Sequence, residues 1–281
     1  MILTNMLITE LKENPTLRVL SLGAGVQSTV MALMTMTGEI KDKPDCAIFS
    51  DTGAEPKNVY EHLEWLTEQL DYPVYIVSKG NLRDDTLHGQ ITSKGNKRFS
   101  TIPFFLKDSG MGMRQCTNDY KIQPIRKKIR SLLGVGKGKR VPKDVFVETW
   151  IGISLDEMVR AKINRDKWQV NRFPLLELEL KRHELINWFD ERYPERTLTK
   201  SSCTFCPYHN DGAWRDMKHN DKVSWNDAVD FDKKLRSRDT KFKHEQYLHR
   251  SCLPLDEIDF DNLEDKGQLS FLGECEGMCG V

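Results

Sequence analysis

No apolar run in the 281-residue chain approaches the roughly 20 residues that cross a bilayer, so no membrane partner is expected. Residues 1–16 carry Glu10 and Glu13 and lack the charged start, apolar middle and small-residue cleavage site of a secretory leader, which predicts a cytoplasmic protein. Charge of one sign is missing overall: 42 Lys plus Arg meet 42 Asp plus Glu, against a chain basic throughout that coats nucleic acid. Repeats and low-complexity tracts are absent. A disulfide framework is excluded too, because the seven cysteines are odd in number and widely scattered. In a reducing compartment such cysteines more often hold metal or do chemistry.

What is present is an alternation of strand and helix patterns. Leu17 to Leu22 reads as a buried strand entering the turn Gly23-Ala24-Gly25, and Gln27 to Met36 reads as a helix. Cys46 to Ser50 is a second buried strand, with Cys46 a core residue, and it ends at Asp51-Thr52-Gly53. Pro56 suits the first turn of a helix carrying Val59, Leu63, Leu66 and Leu70, and Pro73 to Val77 is a third strand. The segment from Lys79 to Gln115, with Phe99, Phe104 and Phe105, reads as a long irregular stretch, either a functional loop or a disordered one. A helix is expected near Pro124 with Ile125, Ile129, Leu132 and Leu133 inward, a strand over Val145–Ile153 and a helix over Lys181–Arg192. This pattern predicts an α/β fold with a parallel, Rossmann-like sheet. Two regions are expected: residues 1–200 as the nucleotide-binding α/β domain, and residues 201–281 as a Cys-rich, irregular or helical extension completing a metal site.

The turn after the first strand points to phosphate. Ser21-Leu22-Gly23-Ala24-Gly25-Val26-Gln27-Ser28 joins a strand to a helix, where backbone N–H groups and the helix dipole favour an anion. It is not a Walker A loop, since no Gly-Lys-[Ser/Thr] follows, and Ser28 takes the place of a third dinucleotide-fingerprint glycine. An ordinary tight turn is the competing reading. Asp51 and Thr52 end the second strand, where ligands of open parallel sheets bind; Asp51 suits a ribose, a metal ion or a helix cap.

Cys203-Thr204-Phe205-Cys206 supplies half of a zinc or iron–sulfur site, or a redox dithiol, though a thioredoxin-like context is missing. Cys116 and the tail cysteines Cys275 and Cys279 are candidates to complete it, with Arg114 and Lys121 favouring a thiolate at Cys116. Cys252 reads as a bystander. His209 and His219 read as packed or solvent-facing rather than ligating, and Trp214 and Trp225 as well suit a core.

Taken in order, these motifs resemble the phosphoadenosine phosphosulfate (PAPS) reductase family, within the adenine-nucleotide α-hydrolases that carry a pyrophosphate loop. Ser21 to Ser28 resembles that loop, and Asp51-Thr52-Gly53 resembles the triplet ending the family's second strand. Cys116 to Ile125 is similar to the Cys-Cys-x-x-x-Lys-Val-x-Pro-Leu element of the iron–sulfur members. Trp150 to Glu157 with Arg160 resembles the Gly-x-Arg/Ser-x-x-Glu-x-x-Arg segment, and Glu274-Cys275 the C-terminal Glu-Cys. The chain departs from the pattern at Gln27, which replaces an acid, at Thr117, which replaces a second cysteine, and after Cys275, where Gly-x-His is missing.

The resemblance implies an adenine nucleotide (ATP, or a sulfonucleotide such as APS or PAPS) held by Ser21, Gly23, Ala24, Gly25, Gln27, Ser28, Asp51, Thr52 and Gly152, with Mg²⁺ where an acid orients it. It implies a [4Fe-4S] cluster, or zinc instead, on Cys116, Cys203, Cys206 and Cys275, and catalytic roles for Arg160, Asp156 and Cys279. Three functions follow. The first is attack on the α-phosphate of ATP with pyrophosphate release, coupled to iron–sulfur-dependent sulfur transfer from a sulfur donor. The second is sulfonucleotide reduction by a tail thiolate with a thioredoxin-like reductant, and the third a zinc-stapled binding module without turnover.

The zero net charge conceals a polar arrangement. Residues 120–143 carry nine Lys or Arg and no acid, whereas residues 252–281 carry eight acids against Lys266 alone. The basic strip suits a nucleic-acid acceptor or a solvated helix face. The acidic tail is expected to fold back toward it, bringing Cys275 or Cys279 near Cys116.

Overall fold

The computed structural model describes residues 14–92, 94–107, 109–238 and 244–261. Its centre is a five-stranded, wholly parallel sheet built from β1 (Leu17–Leu22), β2 (Cys46–Asp51), β3 (Val74–Ser78), β4 (Val147–Trp150) and β5 (Gln169–Arg172). The order across the sheet is β3-β2-β1-β4-β5, so the chain winds outward one way from β1 and then crosses to β4. The α/β parallel-sheet fold expected from the sequence is the observed one. Between β1 and β4 lies the topological switch point, where open α/β sheets leave a crevice beyond the strand carboxyl ends.

Side chains alternate across the strands, and each face is covered. Leu20, Leu22, Phe49 and Trp150 pack on α1 (Val26–Thr37), α2 (Lys57–Glu68) and α6 (Arg182–Arg192) through Val30, Leu63, Leu185 and Phe189. On the opposite face Val19, Cys46, Ile48 and Val147 pack on Ile125 and Ile129 of α4 (Gln123–Leu132). Leu132, expected inward, is 36% exposed because the helix ends there, one residue before its C-cap Leu133. A π-helical segment, Thr117–Ile122, runs directly into α4.

A second apolar core lies beside the sheet. Ala54, Ile102, Phe104 and Tyr120 meet Phe205, Trp214, Trp225 and Phe260, with α3 (Leu82–Leu87), α7 (Asp211–Asn220) and α8 (Lys222–Ser237) around them. The rings of Phe205 and Phe231 stack with centroids 3.9 Å apart. Both long helices start on a side-chain cap, Asn210 for α7 and Asp221 for α8, each accepting from a backbone N–H of its helix. The segment expected as a loop thus donates Ile102 and Phe104 to a core, and Phe105 pairs with Tyr247 in a small antiparallel sheet. Among the described residues no helix is long and apolar enough to cross a membrane. Between α4 and α6 the short helix α5 (Pro174–Glu177) follows β5.

Candidate active site

The site starts from the turn after β1. Gly25 is the N-cap of α1 and brings no side-chain cap, and the helix's first turn carries no acid. Its dipole therefore faces the crevice uncompensated by protein charge. Within the turn the Gly23 N–H donates to Ser28 Oγ at 3.2 Å, and the Ser28 hydroxyl donates to Gly25 O at 3.4 Å. Ser28 thereby closes the loop on itself. The left-handed position of the turn is Ala24, at φ 56°, rather than a glycine. Its carbonyl accepts from Thr199 Oγ1 at 2.7 Å, which ties the 199–206 segment over the loop.

Three buried polar atoms at this switch point have no hydrogen-bond partner: Ser21 Oγ at the end of β1, Gln27 Nε2 in the first turn of α1, and Ser154 Oγ just past β4. Their side chains belong to residues that are 3%, 0% and 0% exposed, so water does not readily serve them. Leaving such groups unpaired costs roughly 1–3 kcal/mol each, so these three call for a hydrogen-bond partner at the crevice. The other end of the Gln27 amide is held: Arg182 donates to its Oε1 at 3.1 Å. Neither Arg182 nor Ser154 is singled out by the sequence: Ser154 lies within the Trp150–Glu157 segment without a role of its own, and Arg182 belongs to no motif.

The remaining expected residues fall into supporting or flanking places. Asp51 accepts from Gly53 N at 2.7 Å and from the Tyr60 hydroxyl at 2.8 Å, bracing the turn at the end of β2. Thr52 Oγ1 is 3.4 Å from Cys203 Sγ. Asp156 accepts from the backbone N–H of Arg182 at 3.0 Å, fixing the start of α6. Gly152 is buried beside Ile151 and Ile153. Arg160 pairs with the buried Glu157 and lines a cavity of about 180 Å³ with Ile151, Ile153, Phe173, Arg126 and Arg165.

A second buried polar group lies under the 199–206 segment. Lys121 Nζ is 3.3 Å from Glu55 Oε1, and Ser201 Oγ donates to Glu55 Oε2 at 3.4 Å. The charge that the sequence sets beside Cys116 thus pairs with Glu55, and the Arg114 guanidinium lies over the Tyr208 ring at 5.0 Å. Burial pushes the Cys203 thiol well above its ordinary range; Glu55 adds to this and Lys121 opposes it. Cys203 and Cys206 share one turn, with Cys206 N donating to Cys203 O at 3.0 Å. His209 donates to that same carbonyl and packs on Trp214; burial lowers its pKa to about 4. His219 is exposed and pairs with Asp261.

The described residues do not by themselves complete a metal centre. Among them no group of three or more His, Cys, Asp or Glu is placed to hold an ion. Cys275 and Cys279, and with them the expected return of the acidic tail, lie outside the described residues.

The fold defines a parallel α/β protein with an open switch-point crevice beyond the carboxyl ends of β1 and β4. No protein-family model matches the chain, and no curated protein matches it. Among solved structures it is similar to PAPS reductase from Candida auris in its phosphate complex, at 15% identity and a TM-score of 0.38, covering 68% of this chain and 84% of that one. It is also similar to the U34-tRNA thiolase NcsA from Methanococcus maripaludis with its [4Fe-4S] cluster, at 16% identity and a TM-score of 0.36, covering 90% and 84%. Likenesses of this size assign no reaction to the chain.

Proposed function

We propose that this chain is a nucleotide-using enzyme that binds ATP at the β1–β4 switch point and acts at its α-phosphate. The observation that carries the reading is the set of orphaned polar atoms on Ser21, Gln27 and Ser154 around the unopposed N-terminus of α1. The backbone of Gly23, Ala24 and Gly25 follows the phosphates, while Ser21, Gln27 and Ser154 supply side-chain hydrogen bonds. An acceptor nucleophile bonds to the α-phosphorus as the bond to the bridging oxygen breaks, and pyrophosphate leaves with that electron pair. Arg160, on the wall of the adjoining cavity, offsets the charge that develops. Asp51 and Asp156 act by bracing the turn and α6.

An iron–sulfur cluster belongs to the same proposal and would draw Cys116, Cys203 and Cys206 together with Cys275, since among the described residues no three ligands are grouped to hold a metal. Iron and sulfide analysis of protein purified without oxygen tests that part. The nucleotide reading is tested by calorimetric titration with ATP and by the products of slow hydrolysis. AMP and pyrophosphate support it. ADP and phosphate, or no ATP binding at millimolar concentration, overturn it, and sulfite release from a sulfonucleotide favours the reductase.

A further inference from the structure

Three concavities on the α4 side of the sheet meet at Gln123. One is the 180 Å³ cavity beside Arg160, one of about 860 Å³ lies between α4 and residues 134–139, and one of about 440 Å³ reaches Lys79 and Arg98. The first two share Arg126 and the last two share Lys127, so they lie side by side along α4 as one grooved face. Ten Lys or Arg line it, against two acids, and both acids are already paired: Asp119 with Lys79 and Arg98, Asp166 with Arg126.

The cations divide into builders and free charges. Arg130 donates to Gly136 O at 3.1 Å and to Lys139 O at 2.6 Å, folding the glycine-rich loop back over α4. Lys127, Lys137, Lys162 and Arg165 are exposed and pair with no acid among the described residues. Gly134 and Gly138 have positive φ and nothing within 4 Å of a Cβ position, so the loop presents open backbone next to Lys137.

We propose that this groove seats the phosphate backbone of a nucleic-acid duplex or structured RNA, and that this nucleic acid is the acceptor. Its role as acceptor rests on the nucleotide reading above; the groove itself does not. A mononucleotide gathers its phosphates at one point, whereas these cations are spread along a ten-residue helix, about 15 Å, and beyond both its ends. Phe173, at one end, is the single aromatic residue lining the three concavities, so bases have no row of rings to stack on and the contacts are to phosphate.

The test is fluorescence anisotropy of the full chain with labelled RNA and DNA duplexes of roughly 20 base pairs, each contacting about two successive grooves. Four phosphate contacts give a slope of log K on log salt of about −3.6. The pair Lys127→Glu/Lys137→Glu should weaken duplex binding at least tenfold and flatten the slope by about 2, while calorimetric ATP affinity and the thermal midpoint stay as in the wild type. A second pair, Lys162→Glu/Arg165→Glu, should weaken duplex binding from the other end of the groove. Duplex binding that ignores salt, variants that bind duplex like the wild type, or polyglutamate bound as tightly as duplex would overturn the proposal. Loss of ATP binding in the wild type sinks the nucleotide reading and, with it, the acceptor role, leaving duplex affinity as the separate measure of the groove.

Discussion

The Arg182 guanidinium donates to Gln27 Oε1 across 3.1 Å, joining residues 155 positions apart at the mouth of the switch point. This contact fixes which way the buried amide faces, leaving Nε2 aimed at the place where no protein atom answers it. A hydrogen bond from a charged donor contributes roughly 1.5–3 kcal/mol. Arg182→Met should therefore weaken ATP binding by about ten- to a hundredfold, because the amide is free to turn. The Asp156 bond to the Arg182 backbone survives the change, so α6 should hold and the thermal midpoint should fall only by the several degrees that one lost hydrogen bond is worth. Calorimetric titration beside a melting curve separates the two effects.

Glu55 and Lys121 form an ion pair whose side chains are 0% and 5% exposed. Such pairs add little net stability when intact, but removing one partner strands a buried charge at a cost of about 3–5 kcal/mol. Lys121→Met should lower the unfolding free energy from urea titration by that amount, and Glu55→Gln in the same chain should restore a good part of it. Lys121 also opposes the upward shift of the Cys203 thiol, so Lys121→Met should slow alkylation of Cys203 under native conditions. If the double variant is no more stable than Lys121→Met alone, the two residues are not coupled.

Two buried histidines make the fold acid-sensitive. Burial is the main cause that lowers His62 and His209 to about 4 each, from an ordinary value of 6.5. Between those values the unfolded chain binds more protons than the folded one, so stability rises with pH through this window. The stabilisation is complete above pH 6.5 and is lost as pH falls toward 4, amounting to about 3 kcal/mol per histidine. His209→Gln keeps a donor for Cys203 O and cannot charge. Urea unfolding at pH 7 and pH 5 should show a smaller acid loss in that variant than in the wild type.

The legible part of the molecule was its apolar framework. β1 and β2 are mostly Val, Leu, Ile, Ala, Cys and Phe, and their burial on both faces makes them readable without a partner. β5 was not expected because Gln-Val-Asn-Arg carries no such signal. It is an edge strand whose Arg172 is held by Glu177, Asp42 and Glu148, contacts that exist only once the chain has folded. The phosphate turn was legible as a strand–glycine–helix sequence. Its left-handed residue being Ala24, the inward turn of Ser28 and the strap from Thr199 all depend on distant packing. Arg182 and Lys121 were illegible in their roles for the same reason: a charge on a helix reads as solvated until a partner far away in sequence claims it.

Gly53 offers a local test of how tightly the end of β2 is held. Its φ of +67° puts an L side chain in the left-handed region, at a cost of roughly 1–2 kcal/mol. A Cβ there would also stand 3.1 Å from Asn81 Nδ2 and 3.4 Å from Asn81 Cα, and Asn81 is both the cap of α3 and a donor to Gly53 O. Gly38, at φ +85°, has the same backbone demand with nothing within 4 Å. Gly38→Ala should therefore cost about the backbone term alone. Gly53→Ala should cost that plus the loss of the Asn81 cap, about 1 kcal/mol more. Urea unfolding of the two variants side by side measures the difference directly, and equal losses would show that Asn81 yields without strain. Gly53→Ala should further reduce ATP affinity, since Asp51 holds the Gly53 N–H and the turn carries Thr52 toward Cys203, whereas Gly38→Ala, at the far end of α1, should leave it unchanged.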